Sequence, residues 1–181
     1  MNEFKPLDKA SRIESWRLSL RPVTNEDLEK VLSWRNAEFV RKNFFYRTTI
    51  TIEEELDYFN EKIMKGKVFQ FVVSVKETGD EIGCVYLQHY DEKENSMESG
   101  VFFAENAPAG KGYGTEAVRL MNDWAFETLK LSKTYARVID TNKASLNLHI
   151  KAGFKEISRS SDRVIPTGDE VTAVTFERVN V

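Results

Sequence analysis

The chain has 181 residues, of which 41% are hydrophobic and 30% charged, and its net charge is −3. This length and balance predict one soluble domain with a substantial core. The mildly acidic charge and the lack of a long basic run exclude duplex nucleic acid as the natural partner. No window reaches the roughly 18 apolar residues of a membrane span, and the first residues do not resemble a signal peptide. We therefore expect a cytoplasmic protein without a membrane partner.

Cysteine and histidine are too few for a disulfide framework or a metal centre. Cys84 is the single cysteine and lies in an apolar run, which favours a buried structural thiol. A disulfide within the chain is impossible, so a reducing compartment is expected. His89 and His149 do not combine with Cys84 into a metal-ligand spacing, so no metal is expected.

The first half of the chain is predicted to contain an arm, a strand and two main helices. Residues 1–15 are polar and weakly patterned, so we assign them to an N-terminal arm. Alternating hydrophobic residues in 16–23 predict a half-buried strand. Capping-box patterns predict helices over about 24–36 and 51–66. The aromatic and basic stretch 39–46 between them predicts a short helix and a loop.

The second half is predicted to be a strand meander followed by alternating helices and strands. Apolar runs separated by turn residues predict antiparallel strands at 68–75, 82–90 and 97–104. The later predicted elements are a helix after residue 115, a strand at 134–140, a helix at 142–153 and strands at 154–159 and 171–179. This order predicts one mixed α/β domain over residues 16–181.

A glycine-rich segment joins the meander to the long helix. It reads Pro108-Ala109-Gly110-Lys111-Gly112-Tyr113-Gly114-Thr115. A helix start leaves about four backbone N–H groups without partners, and the helix dipole is positive there. Glycines let the backbone curve into a nest that a ligand can approach closely. The segment is therefore a candidate pyrophosphate site, with Lys111 as an added cation.

Other glycine motifs fit this segment poorly. It lacks the G-x-x-x-x-G-K-[ST] pattern of a Walker loop and the G-x-G-x-x-G pattern of dinucleotide-binding folds. On the loop alone, a purely structural turn into the helix stays open as an interpretation.

Two spaced motifs resemble the GCN5-related N-acetyltransferase (GNAT) family. Residues 109–117 resemble its R/Q-x-x-G-x-G/A signature, although Ala109 stands where Arg or Gln is usual, so a side-chain phosphate donor is lost. At the expected distance, 142–145 and 151–154 resemble N-x-x-S/A and K-x-G-F. Other segments are similar to the branch that contains the ribosomal-protein N-acetyltransferases and the spermidine and sugar-nucleotide acetyltransferases, namely Leu18-Ser19-Leu20-Arg21-Pro22 and Ser33-Trp34-Arg35-Asn36.

The resemblance implies a fold and a place for acetyl-CoA. The implied fold is a mostly antiparallel twisted sheet of about seven strands with a V-shaped splay, flanked by about four helices. Pantetheine is expected to lie in the splay beside a bulged strand, which is 97–104 here. The residues that the resemblance assigns to acetyl-CoA are Phe102, Phe103, Ala104, Ala109, Gly110, Lys111, Gly112, Tyr113, Gly114, Thr115, Asn142 and Lys151.

The implied reaction is direct transfer of an acetyl group from acetyl-CoA to a primary amine. Such a transfer needs a base for the amine and hydrogen-bond donors for the oxyanion and for the leaving thiolate. By resemblance, Glu98 is the candidate base, often acting through water, and the backbone N–H of Phe103 is the candidate oxyanion donor. His149 stands where many relatives have a tyrosine that donates to the leaving sulfur. We therefore prefer Ser145 to His149 as the donor to the thiolate.

The acceptor pocket is expected between the first two helices. Arg35, Arg41, Phe44 and Tyr46 are the candidate contacts, with Phe45 beside them, although these side chains could instead be core or solvated. Residues 34–36 and 40–41 resemble acetyltransferases that act on nucleotide-linked amino sugars, and arginine and aromatic contacts suit the nucleotide diphosphate of such a substrate. A protein N-terminus is the main rival, and an aminoglycoside and a polyamine are further alternatives.

Two other kinds of function stay open at this point. The first is a non-catalytic module that binds CoA or a protein partner with the same fold, and the second is a regulator that binds ATP at the glycine loop. The edge strands and the last hairpin could support a homodimer.

Overall fold

An eight-stranded open sheet forms the centre of the computed structural model, which describes residues 4–181. The strands are β1 (Ile13–Glu14), β2 (Leu18–Pro22), β3 (Phe69–Val75), β4 (Glu81–Asp91), β5 (Ser96–Phe103), β6 (Lys133–Ile139), β7 (Lys155–Arg163) and β8 (Glu170–Val179). Their order in the sheet is β1-β2-β3-β4-β5-β6-β8-β7, and among these pairs β5–β6 alone is parallel. The predicted mixed α/β fold is confirmed, with one strand more than the seven expected.

Helices flank the sheet on both faces. They are α1 (Leu28–Asn36), α2 (Glu38–Arg41), α3 (Ile52–Tyr58), α4 (Tyr113–Trp124) and α5 (Lys143–Lys151), and α3 and α4 each continue into a π-helical turn. The short helix predicted within 39–46 is α2, so the described residues form five α-helices instead of about four. None of the helices in 4–181 combines the length and the apolar character that crossing a bilayer requires.

The additional strand β1 lies inside the predicted N-terminal arm, whose first three residues are outside the described part of the chain. Ile13 pairs with Leu20 of β2. Further upstream, the ring of Phe4 lies edge-on to Phe69 and Tyr90, with centroids 5.8 and 4.9 Å apart. A strand of two residues shows no hydrophobic period, so the sequence pattern did not predict it.

Both faces of the sheet carry hydrophobic cores. On one face α4 buries Ala117, Val118 and Met121 completely, at the spacing of an amphipathic helix. On the other face α1 packs through Val31 against a second cluster that contains Cys84. Burial raises the pKa of the Cys84 thiol to about 12, so this cysteine is a buried, protonated core residue, as predicted.

Strands β5 and β6 part soon after they meet. They pair through three residues of β5, Ser96, Met97 and Glu98. Beyond Glu98, β5 continues along β4 while β6 continues along β8. The resulting gap is the V-shaped splay that the resemblance implied, and it separates the meander from the C-terminal strands.

The irregularity in the pairing of β4 with β5 lies in β4. Gln88 pairs with Glu98 and Asp91 pairs with Ser96, so β4 has one residue more than β5 between these two pairs. His89 lies in this bulge with a φ of 54°, in the left-handed region. The prediction of a bulge in the strand at 97–104 was therefore wrong.

An ion-pair cluster centred on the buried Asp27 fixes α1 to the sheet. Arg21 donates to both oxygens of Asp27 at 2.7 Å, and Lys30 donates to Asp27 at 3.0 Å. Glu81 on β4 pairs with both cations. Burial alone would raise the pKa of Asp27, but the hydrogen bonds from Arg21, Thr24 and Lys30 outweigh it and hold the pKa well below its usual range.

Asp27→Asn should destabilise the fold at neutral pH and to a smaller extent in acid. Because folding lowers the pKa of Asp27, the stabilising contribution is present above the ordinary value of about 4 and is lost as the pH falls toward the folded-state value. We expect urea unfolding to report a loss of about 3 kcal/mol at pH 7 and a smaller loss at pH 3. Exposed Glu29→Gln is the control. A loss of equal size at both pH values would contradict this assignment.

Candidate active site

The glycine segment curves into the first turn of α4. Gly110 and Gly112 have left-handed φ values of 72° and 77°, and Gly112 is the N-cap of the helix. A Cβ built on Gly110 meets nothing within 4 Å, so the backbone is open to a ligand there. The first bond of the helix runs from Glu116 N–H to Gly112 O at 3.1 Å. The N–H groups of residues 113–115 precede it and are therefore available to an anion.

Arg17 braces this loop from the start of β2. Its Nη1 donates to the Lys111 carbonyl oxygen at 2.9 Å, and its Nε donates to Glu116 at 2.7 Å. The guanidinium carbon also lies 4.9 Å from the ring centroid of Tyr113. The sequence did not predict this brace, because no local motif connects Arg17 with residues almost a hundred positions away. Arg17 thereby brings a positive charge beside the loop. In this loop Ala109 stands where the family motif usually has Arg or Gln.

The backbone of β5 presents alternate residues to the splay. Ala104 N–H donates to Ile82 O at 2.8 Å, on the β4 side. Because peptide groups alternate in direction along a strand, Phe103 faces the splay, while Phe102 and Ala104 face β4. Phe103 therefore stays a candidate backbone donor, and the predicted main-chain contacts of Phe102 and Ala104 lose their support. Val101, which the sequence did not single out, has the same orientation as Phe103.

A cavity of about 760 Å³ lies beside the splay and is closed on its other side by α1, α2 and α3. It brings together residues predicted for catalysis, for the cofactor and for the acceptor. The predicted residues in its wall are Arg35, Phe44, Tyr46, Glu98, Phe102, Phe103, Asn142, Ser145 and His149. One continuous space therefore joins the predicted acceptor pocket to the Glu98 carboxylate and the Ser145 hydroxyl, both of which were predicted to be catalytic.

Glu98 lies where β5 leaves β6, with 18% of its side chain exposed. Its Oε2 accepts hydrogen bonds from Gln88 Nε2 at 3.2 Å and from His89 Nδ1 at 2.7 Å. The Tyr58 hydroxyl donates to Gln88 Oε1 at 3.5 Å. Within residues 4–181, Glu98 Oε1 has no hydrogen-bond partner. One oxygen of the carboxylate is thus held and the other is available to a ligand.

The start of α5 holds the second group of predicted catalytic residues. Asn142 Oδ1 accepts from Ser145 N–H at 3.2 Å and caps the helix. His149 Nδ1 lies 2.8 Å from the Ser145 carbonyl oxygen, and since a carbonyl can only accept, Nδ1 carries the hydrogen. Burial lowers the pKa of His149, so the ring is neutral at pH 7. Ser145 Oγ lies 3.3 Å from the same Nδ1 and can only accept there, which leaves its own hydrogen for another partner.

The two predicted acceptor arginines have different surroundings. The Arg35 guanidinium carbon lies 3.7 Å from the Phe44 ring centroid, and Nη2 donates to the Tyr46 carbonyl oxygen at 2.9 Å. Its Nη1 is buried and has no partner among the described residues. Arg41 lies outside the cavity wall and donates to two carbonyl oxygens of its own connection, at 2.8 and 3.0 Å. Arg35 is therefore available to a substrate, whereas Arg41 holds the loop in shape.

Glu55 is a buried carboxylate in the same cavity wall, and the sequence did not predict it. The residue is only 7% exposed. Burial raises its pKa, and the nearby positive charge of Arg35 opposes that rise. In the sequence it is one of three consecutive glutamates in the first turn of α3, which is an ordinary pattern for a solvated helix start.

The two lysines assigned to phosphate lie at different distances from the nest. Lys111 is exposed within the loop itself. Lys151 ends α5, and its carbonyl oxygen accepts from Arg119 at 2.7 Å. Arg119 lies in the second turn of α4, about 9 Å along the helix axis from its start. Contact of Lys151 with a phosphate stays a prediction.

Known proteins share this architecture and this sequence pattern. A family model described as acetyltransferase (GNAT) domain matches residues 17–155. An N-acetyltransferase 9-like protein of Caenorhabditis briggsae is 30% identical over 86% of this chain and 83% of its own. Spermidine N(1)-acetyltransferase of Escherichia coli K12 is 28% identical over 76% and 72% of the two chains. The crystal structure of a Vibrio cholerae spermidine N-acetyltransferase with CoA and spermine has a TM-score of 0.82 at 22% identity, over 91% of this chain and 96% of that one.

A helix start open to an anion, beside a splayed sheet, defines a class of acyltransferases that use coenzyme A. The open backbone at Gly110 and the unbonded N–H groups of residues 113–115 fit the diphosphate of that coenzyme. Because the family model matches residues 17–155, the chain belongs to the GNAT acetyltransferase family. Its activity is N-acetyl transfer, and acetyl-CoA is the cosubstrate.

Gly112→Val should weaken CoA binding at least tenfold, whereas Gly79→Val should not change it. Both glycines have left-handed φ values, 77° and 76°, and both lie in open turns, so the backbone strain introduced is comparable. Gly112 borders the nest, and Gly79 lies in the β3–β4 hairpin turn. Isothermal titration with CoA measures the difference, and circular dichroism checks the fold. Equal CoA affinities of the two variants would contradict a diphosphate site at this loop.

Proposed function

We propose that this N-acetyltransferase acetylates the primary amine of a protein N-terminus, with residues 16–181 acting as one domain. The observation that carries the proposal is that Glu98, Ser145 and Arg35 line one cavity that meets the splay. We further propose that the chain lies in the branch of the ribosomal-protein N-acetyltransferases, on the strength of its residues 18–22 and 33–36.

The cosubstrate would be held by backbone groups at two points. Acetyl-CoA supplies the activated acetyl thioester. The N–H groups of residues 113–115 bind the diphosphate, and Lys111 adds positive charge beside it. Asn142 uses one side-chain atom to cap α5, so its Nδ2 remains to hydrogen-bond the pantetheine arm. Phe103 N–H, directed into the splay, donates to the acyl oxygen as negative charge develops there.

Glu98 would act as the base. Its free Oε1 accepts a proton from the acceptor ammonium, directly or through a water molecule. The attack then needs no covalent enzyme intermediate, because the amine itself is the nucleophile. Two observations support this role: Glu98 lies where the strands part, and it lines the cavity that meets the splay.

Ser145 is better suited than His149 to donate a hydrogen bond to the leaving thiolate. His149 has a lowered pKa, so it is not an imidazolium at neutral pH, and its Nδ1 hydrogen is used by the Ser145 carbonyl. Among the described residues, no acceptor takes the hydrogen of the Ser145 hydroxyl. A hydroxyl can donate to a thiolate without any change in its own pKa.

The acceptor pocket suits a peptide better than a nucleotide-linked amino sugar. Recognition of a diphosphate was expected from Arg35 and Arg41 together, but Arg41 is occupied by backbone carbonyls. Arg35 Nη1 can donate to a peptide carbonyl oxygen, and Glu55 adds a carboxylate beside it. A small polyamine is the substrate named for the Escherichia coli relative, and it is the alternative that the same carboxylates would favour.

An acceptor panel tests this proposal directly. Release of the CoA thiol is followed with short peptides bearing free N-termini, with a uridine-diphosphate amino sugar, and with spermidine. We expect a peptide to give the highest kcat/KM and its N-acetylated form to give no turnover. Preference for spermidine or for the nucleotide sugar by tenfold or more would contradict a protein N-terminus as acceptor.

Ser145→Ala should lower kcat about 10- to 100-fold and leave the KM for acetyl-CoA nearly unchanged. The reason is that the hydroxyl would act on the leaving thiolate and not on the bound cosubstrate. Ser145→Thr retains a hydroxyl at the same place and should keep most of the turnover. Steady-state kinetics with the best acceptor measure both variants. A wild-type kcat in Ser145→Ala would remove Ser145 from the mechanism.

A further inference from the structure

His89 adopts a backbone conformation that is unusual for its place in the fold. Three described residues other than glycine have a left-handed φ: His89, Asn95 and Lys130. Asn95 lies in a turn and Lys130 ends a helix, where this conformation is common. His89 lies inside strand β4, where a left-handed residue with a Cβ is energetically costly.

The bulge brings His89 to a face that a regular strand would not allow it to reach. Successive side chains of a strand point to opposite faces, so Gln88 and His89 should diverge. Gln88 is paired with Glu98 in the strand register. With the bulge, His89 Nδ1 also reaches Glu98 and lies 2.7 Å from the same Oε2 that Gln88 contacts at 3.2 Å.

Stability alone does not explain why this conformation is present. The His89 side chain is 68% exposed, whereas that of Glu98 is 18% exposed. A pair with one partner this exposed contributes little to folding, because water screens it and an ordered side chain loses entropy. Strained residues that persist without such compensation are concentrated at functional sites.

We propose that His89 is a positioning residue for Glu98. Since an ionised carboxylate can only accept, His89 Nδ1–H and Gln88 Nε2–H both donate to Oε2 and fix the carboxylate plane. Oε1 is then held ready for the acceptor amine, and the Tyr58 hydroxyl steadies Gln88 from α3. This inference rests on the proposed function, in which Glu98 is the base, and it adds a residue that neither family motif contains.

Two substitutions separate the side chain of His89 from its backbone conformation. Glycine and asparagine both tolerate a left-handed φ, so neither should disturb the bulge. His89→Gly removes the donor to Oε2, whereas His89→Asn supplies an amide N–H close to the place of Nδ1. We expect His89→Gly to lower kcat at least tenfold with an unchanged KM for acetyl-CoA. His89→Asn should retain kcat within about threefold of wild type.

Rates are referred to the concentration of folded sites measured by CoA titration, so partial unfolding of a variant cannot imitate loss of catalysis. If His89→Gly keeps the wild-type kcat, or if His89→Asn is as slow as His89→Gly, the inference is overturned. The contrast between the two variants is the deciding readout, because a purely structural role would be preserved by both.

A double-mutant cycle with Glu98→Gln distinguishes this inference from the proposed function. Glu98→Gln should lower kcat about 100-fold, and His89→Gly should then have no further effect, because the carboxylate that it positions is gone. A large Glu98→Gln effect with additive loss from His89→Gly contradicts the inference alone. Full turnover in Glu98→Gln contradicts the role of Glu98 as base, and the positioning role of His89 with it.

Discussion

The parting of β5 from β6 is the constraint on which the rest of the site depends. The two strands share hydrogen bonds through three residues of β5 and then follow different neighbours. Backbone groups of β5 beyond Glu98 are consequently left facing a gap instead of another strand. Phe103 N–H is one such group. An extended ligand arm that enters the gap can take the hydrogen bonds that a continuous sheet would have used.

Polar groups that can contact a charged ligand lie at both ends of the gap. At one end the start of α4 presents unbonded N–H groups, and the Arg17–Glu116 pair holds the loop before it. At the other end, Gln88 contacts Glu98 from its regular place in the strand register, and the β4 bulge adds His89. The proposed anion site and the proposed base therefore lie at the two ends of β5 in the same sheet.

Local sequence pattern predicted the elements and the glycine nest, but not the contacts across the sheet. Helix starts and alternating strands are encoded by neighbouring residues, so β3, β4, β5 and α4 could be located closely. The Arg17 brace, the role of Arg41 in its own loop and the buried Glu55 depend on residues that are distant in sequence or on tertiary burial. The bulge was expected in the strand at 97–104 because the family resemblance implied it there, whereas the pairing of β4 with β5 places the extra residue in β4.

Amide hydrogen exchange with and without CoA tests most directly whether the helix start and the splay hold the coenzyme together. NMR detection resolves the amides of residues 110–115 at the loop and of Val101 and Phe103 in the splay. We expect CoA to slow exchange at both groups of amides, while the amides of the β3–β4 hairpin turn around Gly79 stay unchanged. Protection confined to other parts of the chain, or no protection at saturating CoA, would contradict this arrangement.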